Sequence, residues 1–263
     1  MEEWRIKWRK GSLSELGRIN KATENVIIMI KFGIRQSFDR IEQVEDRYAN
    51  LSVPVEVALP YYWAIYDPVR GHLAEIAEKI KSYNATVLSI HAVQAPITDE
   101  KFKIWGKEIA DFAKALGVRT ITLHPNNVNK DEGVQEKALK NLEYFTGLYN
   151  GEIVFCIETF EGKRRVFTPD ETVSFNLPMT LDTSHIRDNE KIWSLLKGCK
   201  QSIKNVHLSA KERSRQHLPI DSFCKEVVSY LIENKWEGNV ILEYLFEFHD
   251  QMLNDLTLLE TMQ

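Results

Sequence analysis

The sequence predicts an α/β fold, a (β/α)8 barrel, and three observations carry that prediction. Eight short runs rich in Val, Ile and Leu recur along the chain, with charged amphipathic segments of helical period between them. Several runs are apolar almost throughout, which is how strands buried on both faces of a parallel sheet read. The length of 263 residues suits a barrel of this kind, which takes about 250 residues.

The strand-like runs are VIIMIKFGI (26–34), VPVEVALP (53–60), ATVLSIHAV (85–93), RTITLHP (119–125), GEIVFCIETF (151–160), LPMTLDTSH (177–185), IKNVHLSA (203–210) and NVILEYL (239–245). The segments between them repeat every 3.6 residues. In HLAEIAEKIKSY, Leu73, Ile76 and Ile80 form one stripe opposite the charges, and His72 starts the helix. Asp99 is placed to cap EKFKIWGKEIADFAKALG, which closes at Gly117. TPDETVSF carries a capping box, with Thr168 at the cap, Pro169 next and Glu171 three residues after the cap. NEKIWSLLKGC, DSFCKEVVSYLIENK and FEFHDQMLNDLTLLETM complete the set, with His249 inside the last. A doubly wound open sheet is the competing architecture, but no GxGxxG or P-loop supports it. No linker divides the chain, so residues 1–263 read as one domain with an N-terminal extension over 1–25, where Trp4 to Trp8 alternates like a strand.

Composition narrows the function. Apolar residues make up 43% and charged residues 27%, with a net charge of −4, a balance that does not point to nucleic acid or an anionic membrane. Cys156, Cys199 and Cys224 form no CxxC and are odd in number, which favours a reducing compartment over a disulfide framework. Cys156, inside IVFCIE, reads as a small buried hydrophobe. The N-terminus is charged and lacks the apolar core of a secretory signal, and Val26–Ile30 is too short to span a bilayer. A cytoplasmic location is expected. Oligomeric state is not legible.

In a barrel, chemistry gathers at the C-terminal ends of the strands. There the third to eighth runs place His91, His124, Glu158, Asp182, His207 and Glu243, and the loops beyond add His185 and His217. Taken singly, each has a plain reading. A histidine at a strand end is usually a hydrogen-bonded structural residue, and an aspartate there often caps the next helix. Together they are a costly collection of buried acids and imidazoles unless a divalent cation joins them. Five of the seven histidines fall at this one end.

The motifs SIHA (89–92), LHP (123–125), IET (157–159), LDTSH (181–185), VHLSA (206–210), RQHLP (215–219) and LEY (242–244), in this order and spacing, resemble the xylose isomerase-like TIM-barrel superfamily from about residue 26 to the C-terminus. That superfamily includes endonuclease IV (AP endonuclease family 2) and many sugar and sugar phosphate isomerases and epimerases. The resemblance implies that Glu158, Asp182, His207 and Glu243 form a metal quartet. It also implies that His91 and His124, with Glu158 bridging, hold a second ion. His185 and His217 match two ligands of a third zinc in endonuclease IV, but the acid expected two residues before His217 is Arg215 here, and a guanidinium cannot ligate a cation. One or two divalent ions, Zn or Mn, are therefore expected.

Two reactions compete for this mouth, with a third, non-catalytic reading behind them. An isomerase or epimerase acting on a carbohydrate would use Glu158 and Glu243 as acid and base on either side of a substrate carbon, with His185 holding a hydroxyl. Arg213, six residues after His207, resembles the substrate-contacting arginine of ketose 3-epimerases. A zinc phosphoesterase acting on abasic DNA or another phosphoester is favoured by His91 and His124. It is opposed by Arg215, by the segment TFEGKRRVF after Glu158, and by Gln94 where DNA-binding relatives carry an aromatic. The third reading is a metal- or sugar-binding barrel without catalysis, with Tyr61, Tyr62 and Trp63 lining its pocket. The run Lys163-Arg164-Arg165 reads as a solvated loop. The segments after strands seven and eight, SAKERS and EYLFEFHD, are poor phosphate cradles, which tilts the expectation toward an unphosphorylated substrate.

Overall fold

The structure, a computed structural model, describes residues 30–38, 43–49, 52–59, 72–92, 97–128 and 133–263. The 1–25 extension with its Trp4 to Trp8 strand, residues 26–29 of the first run, the Tyr61-Tyr62-Trp63 cluster and Gln94 lie outside them.

In chain order the elements are β1 Lys31–Ser37, α1 Gln43–Tyr48, β2 Val55–Ala58, α2 Leu73–Ser82, β3 Val87–Ala92, α3 Phe102–Ala115, β4 Thr120–Leu123, α4 Val134–Leu148 and β5 Val154–Glu158. They continue with α5 Pro169–Ser174, β6 Met179–Asp182, α6 Asn189–Cys199, β7 Ile203–Leu208, β8 Ala210–Glu212, β9 Arg215–Leu218, α7 Ser222–Glu233, β10 Asn239–Leu242 and α8 His249–Glu260. Eight strands close into a parallel barrel in the order β1-β10-β7-β6-β5-β4-β3-β2, and β8 and β9 form a separate antiparallel hairpin. The (β/α)8 expectation holds.

Three local expectations need correction. The first strand begins at Lys31 and runs on to Ser37, past the end of the apolar run at Ile34, because barrel pairing with β2 extends to Ser37. Asp99 does not cap α3. Its carboxylate accepts the Lys101 N–H at 2.8 Å, and the helix proper starts at Phe102. Residues 210–218 form the β8–β9 hairpin rather than plain loop.

Helix faces follow the sequence period. Leu73, Ile76 and Ile80 of α2 are all buried, and the Thr168–Glu171 capping box is formed at α5. Between α3 and α4 the approach is so close that a Cβ on Gly106 would sit 2.4 Å from the Phe145 ring. Cys156 is fully buried and free.

The barrel interior is not uniformly apolar. Glu56 (β2), Ser89 (β3), Thr122 (β4), Thr180 (β6) and Asn205 (β7) are each 0% exposed. They form one hydrogen-bonded layer. Ser89 donates to Glu56 at 2.6 Å, Asn205 donates to Glu56 at 3.2 Å and to Thr122 at 3.4 Å, and Thr122 pairs with Thr180 at 2.8 Å. Asn239 of β10 joins by donating to Asn205 at 2.8 Å. The register shifts between Val55 and Glu56 against β3, and between Met179 and Thr180 against β7. Such a bulge re-aims the residues beyond it, and both lie just below the strand ends that carry His91 and Asp182.

Candidate metal centre and active site

Parallel strands of one register deliver their last residues to one rim, and the acids and imidazoles converge there. Glu158, at the end of β5, is the hub. Its Oε2 lies 2.7 Å from His124 Nε2 and 3.4 Å from His91 Nε2, and its Oε1 lies 2.7 Å from His207 Nδ1 and 3.9 Å from His185 Nδ1. His207 Nδ1 also faces Glu243 Oε2 at 3.0 Å and Asp182 Oδ2 at 3.9 Å. Beyond the rim, Nε2 of His185 and Nε2 of His217 stand 3.2 Å apart. The structure thus brings together all eight of His91, His124, Glu158, Asp182, His185, His207, His217 and Glu243.

Asp182 does not cap the following helix. Asp188 does that, accepting from Glu190 N at 2.9 Å. Oδ1 of Asp182 is instead saturated by the Ser184 N–H (2.6 Å), the Ser184 hydroxyl (2.8 Å) and the His185 N–H (2.9 Å). Only Oδ2 remains, and it points into the cluster. Asp182→Asn is therefore expected to weaken metal retention at least about 100-fold while circular dichroism stays native, because the hydrogen-bonded half of the side chain is preserved. Unchanged metal content in the variant would remove Asp182 from the ligand set.

The donor set fits a cation on a structural test. Glu56 Oε1, both ring nitrogens of His91, His124 Nε2, Glu158 Oε2, Asp182 Oδ2, His185 Nδ1, His207 Nε2 and Glu243 Oε2 are buried without a hydrogen-bond partner among the described residues. His124 Nε2 and Glu158 Oε2 are 2.7 Å apart yet lack the angles of a hydrogen bond. Unpaired buried polar atoms are expensive. Lone pairs aimed at a shared point, rather than at each other, are what metal ligands present. Three groups suit an ion, each with ligand atoms within 4.8 Å of one another: His91–His124–Glu158, Glu158–Asp182–His207–Glu243, and Asp182–His185–His217. In the third, Asp182 supplies the acid that position 215 does not.

A fourth grouping adds Glu56 to His91, His207 and Glu243. Glu56 and Glu243 address opposite nitrogens of His207, Nε2 at 2.9 Å and Nδ1 at 3.0 Å, so one ion cannot take both carboxylates through that ring. The geometry makes Glu56 an orienting acid. Its Oε1 faces His207 Nε2 and, at 3.5 Å, His91 Nδ1, which leaves the other nitrogen of each ring turned to Glu158. A carboxylate behind a ligating histidine fixes its tautomer and raises its basicity.

Electrostatics follow from this packing. Burial pushes the Glu158 carboxyl up, but His124 and His91 outweigh it and hold the group well below the usual carboxylate range. Glu56 is likewise held low, its burial overcome by His207 and His91, while His207 is held high by Glu56 and Glu158 against its own burial. Burial carries His91 down to about 3 and His217 down to about 4, so both imidazoles are neutral, the form that ligates.

Three contributors were not legible in the sequence. Glu56 sits in the alternation Val-Glu-Val, which reads as a solvent-facing polar residue. Arg35 lies beyond the first apolar run and pairs with Glu243. Phe160 stacks on His185 with ring centroids 3.7 Å apart. The two arginines singled out in the sequence are both exposed on the β8–β9 hairpin. Arg213 is exposed at the hairpin tip with φ 55°, and Arg215 is exposed, 2.5 Å from Glu247 and stacked over Phe248.

A barrel with a buried acid-and-imidazole cluster at the C-terminal mouth defines a class of architecture, and comparison with solved structures gives it a name. The chain is similar to a xylose isomerase domain protein from Planctomyces limnophilus (19% identity, 88% of this chain and 97% of that chain, TM-score 0.61). It is also similar to 3-keto-D-glucoside 4-epimerase from E. coli (13%, 89% and 100%, 0.63) and to endonuclease IV from Thermus thermophilus (18%, 89% and 100%, 0.56). The fold is the xylose isomerase-like TIM barrel. No protein-family model matches the sequence, and no curated protein does. Among the described residues, no helix is long and apolar enough to cross a membrane.

Proposed function

We propose that the protein is a metal-dependent sugar isomerase or epimerase acting on a small carbohydrate in the cytoplasm. The observation that carries this reading is the pair of carboxylates bracketing one imidazole nitrogen: Glu158 at 2.7 Å and Glu243 at 3.0 Å from His207 Nδ1. A divalent ion held by Glu158, Asp182, His207 and Glu243 would supply Lewis-acid polarisation of a substrate carbonyl. The chain does the rest. Glu158, a carboxylate held below the usual range with His124 Nε2 and His207 Nδ1 each 2.7 Å from its oxygens, removes the proton from the carbon beside the carbonyl. Glu243, held by Arg35, faces it across the same nitrogen and returns or receives the proton. His185, fixed by the Phe160 ring and by His217, holds a substrate hydroxyl.

A second reading, a zinc phosphoesterase, is favoured by the His91–His124–Glu158 group, which suits an additional ion. Arg215 speaks against it, because the third group then has no acid of its own and must share Asp182 with the second.

The test is solvent hydrogen exchange. Protein loaded with Mn or Zn is incubated in D2O with a panel of ketoses and aldoses, free and phosphorylated, and an abasic duplex is assayed in parallel. Deuterium entering the carbon next to the carbonyl is the expected result. Strand cleavage with no exchange would replace the proposal with the phosphoesterase. Bound metal with neither activity would leave a non-catalytic binding barrel.

A further inference from the structure

Glu56, Glu158, Asp182 and Glu243 share a pattern: one oxygen of each is held by a protein donor, and the other has no hydrogen-bond partner among the described residues. Oε2 of Glu56 accepts from Ser89 and Asn205, Oδ1 of Asp182 accepts from Ser184 and His185, and Oε1 of Glu158 meets His207 Nδ1. At Glu243 the donor is Arg35 Nη1, which takes Oε1 and leaves Oε2. From this pattern we infer that Arg35 determines which metal the centre accepts. By occupying one oxygen of Glu243 it makes that acid a single-oxygen ligand, so that the quartet takes a small transition ion, Mn or Zn, and rejects calcium. The inference rests on the metal-centre part of the proposed function and not on the reaction.

The reason lies in what the two kinds of ion ask of a carboxylate. Calcium takes about six to eight oxygen ligands, and an acid helps to reach that number by giving both of its oxygens. Zinc and manganese accept a smaller set that includes imidazole nitrogen. In the Glu158–Asp182–His207–Glu243 group three acids stand beside one imidazole, and the His91–His124–Glu158 group holds two imidazoles and one acid. Two of the acids are closed to two-oxygen binding by their fixed surroundings. Asp182 Oδ1 receives two backbone N–H groups as well as a hydroxyl. The oxygens of Glu158 face different histidines, Oε1 toward His207 and Oε2 toward His124 and His91. Glu243 is the exception, because its second oxygen is withheld by one side chain. His217 Nδ1, at 3.7 Å, is too far to hold Oε1 in place of Arg35.

Strand register places Arg35 where it can do this. Ile34 of β1 pairs with Leu242 of β10, so the next residue on each strand, Arg35 and Glu243, meet at one level of the mouth. The Arg35 side chain is 26% exposed and that of Glu243 5%, so the pair is drawn into the cluster rather than lying on a solvated surface. Glu56, Glu158 and Asp182 are within electrostatic reach of the same guanidinium. Arginine keeps its charge at any ordinary pH, and a fixed cation beside a metal site lowers the affinity for every divalent ion. That cost is hard to explain if the pair only neutralises Glu243, since a bound ion would do so unaided. Discrimination between ions explains it.

The test reads binding and needs no turnover. The whole chain, freed of metal by a chelator that is then dialysed away, is titrated calorimetrically with Mn2+ alone and with Ca2+ alone. Wild type, Arg35→Met and Arg35→Lys are compared. Wild type should bind Mn2+ at least about 100-fold more tightly than Ca2+. Arg35→Met removes a charge, which raises the affinity for both ions by a common factor, and it also frees Oε1, which calcium uses. The ratio between the two ions should therefore narrow by about 10-fold. Arg35→Lys keeps a cation and one donor but loses the fork, and should narrow the ratio by about 3-fold. Should Arg35→Met fail to fold, Arg35→Lys decides alone, and an unchanged ratio there overturns the assignment. A ratio unchanged in Arg35→Met, with both affinities displaced together, would make Arg35 a plain ion-pair partner and overturn the assignment while the isomerase reading stands. A wild type that binds neither ion, or binds both equally, would overturn it as well, and the first of these takes the metal centre with it. A narrowed ratio without hydrogen exchange in D2O would uphold the assignment and sink the isomerase reading alone.

Discussion

Glu158→Gln should strip the protein of metal and cut activity by about 1,000-fold or more, the largest effect of any single substitution in this chain. The reason is the number of partners that converge on one carboxylate. His124, His207, His91 and His185 address its two oxygens at 2.7, 2.7, 3.4 and 3.9 Å, and the group is 1% exposed. Glutamine keeps the shape and volume, so the barrel should still fold. It removes the only charge shared by the first two ligand groups and replaces one acceptor oxygen with an NH2 group. An amide NH2 has no lone pair to offer an ion or an imidazole nitrogen. Both proposed ion positions should therefore fail together, whereas Asp182→Asn removes one oxygen from the second and third groups only. Elemental analysis of the two variants side by side separates these outcomes. Full metal occupancy in Glu158→Gln would dismiss Glu158 as the hub.

The second large effect is a pH optimum in the stability of the metal-free chain. His91 and His217 are held neutral by burial, down to about 3 and about 4, while an unfolded histidine titrates near about 6.5. Between those values the unfolded state binds protons that the folded state refuses, so stability falls as the pH drops below about 6.5. Glu56 and Glu158, both held low in the fold, add to the loss once the pH passes below the ordinary carboxylate range. His207 works in the opposite direction. Its folded value is raised by Glu56 and Glu158, so its contribution is complete below about 6.5 and is lost as the pH rises through that folded value. The two limbs meet near pH about 6.5, each with a slope on the order of 1 kcal/mol per pH unit per group. Urea midpoints of chelator-treated protein at pH 5, 6.5 and 9 should show the middle value highest. With metal restored the alkaline limb should flatten, because a ligating His207 has already lost its proton. Stability that climbs steadily from pH 6.5 to 9 without metal would show that His207 is not the buried cation of the empty cluster.

The sequence made most of the barrel legible, for a physical reason. Strands buried on both faces leave continuous apolar runs, and those runs end where the site begins. That is why His91, His124, Glu158, Asp182, His207 and Glu243 could be picked out together. The same logic explains what was missed. At β1 the apolar run stops at Ile34 while the strand continues into the polar mouth, so Arg35 lay outside the expected strand. Glu56 alternates with Val55 and Val57, a pattern identical to a surface strand, although it is fully buried. Side-chain alternation shows that a residue changes face, not which face is wet. The β8–β9 hairpin carries no apolar run at all, so its pairing was invisible, as was the exposure of Arg213 and Arg215. Arg165 was hidden for a different reason. It is half-buried and stacked over Phe160 at 4.4 Å, and a charge run looks the same whether its members are solvated or stacked.

The hydrogen-bonded layer of Glu56, Ser89, Thr122, Thr180 and Asn205 has a consequence for how this molecule can change. It works like the wards of a lock. Each barrel strand that contributes to it can sit in only one longitudinal setting, since sliding by one residue would turn a polar group outward and leave its partners stranded. The coordinates of the strand-borne candidate ligands are thus written into the staves of the barrel. Exchange of the outer helices can leave those ligands where they are, whereas the β6–α6 loop, whose Ser184 and His185 hold Asp182 Oδ1, belongs to the centre itself.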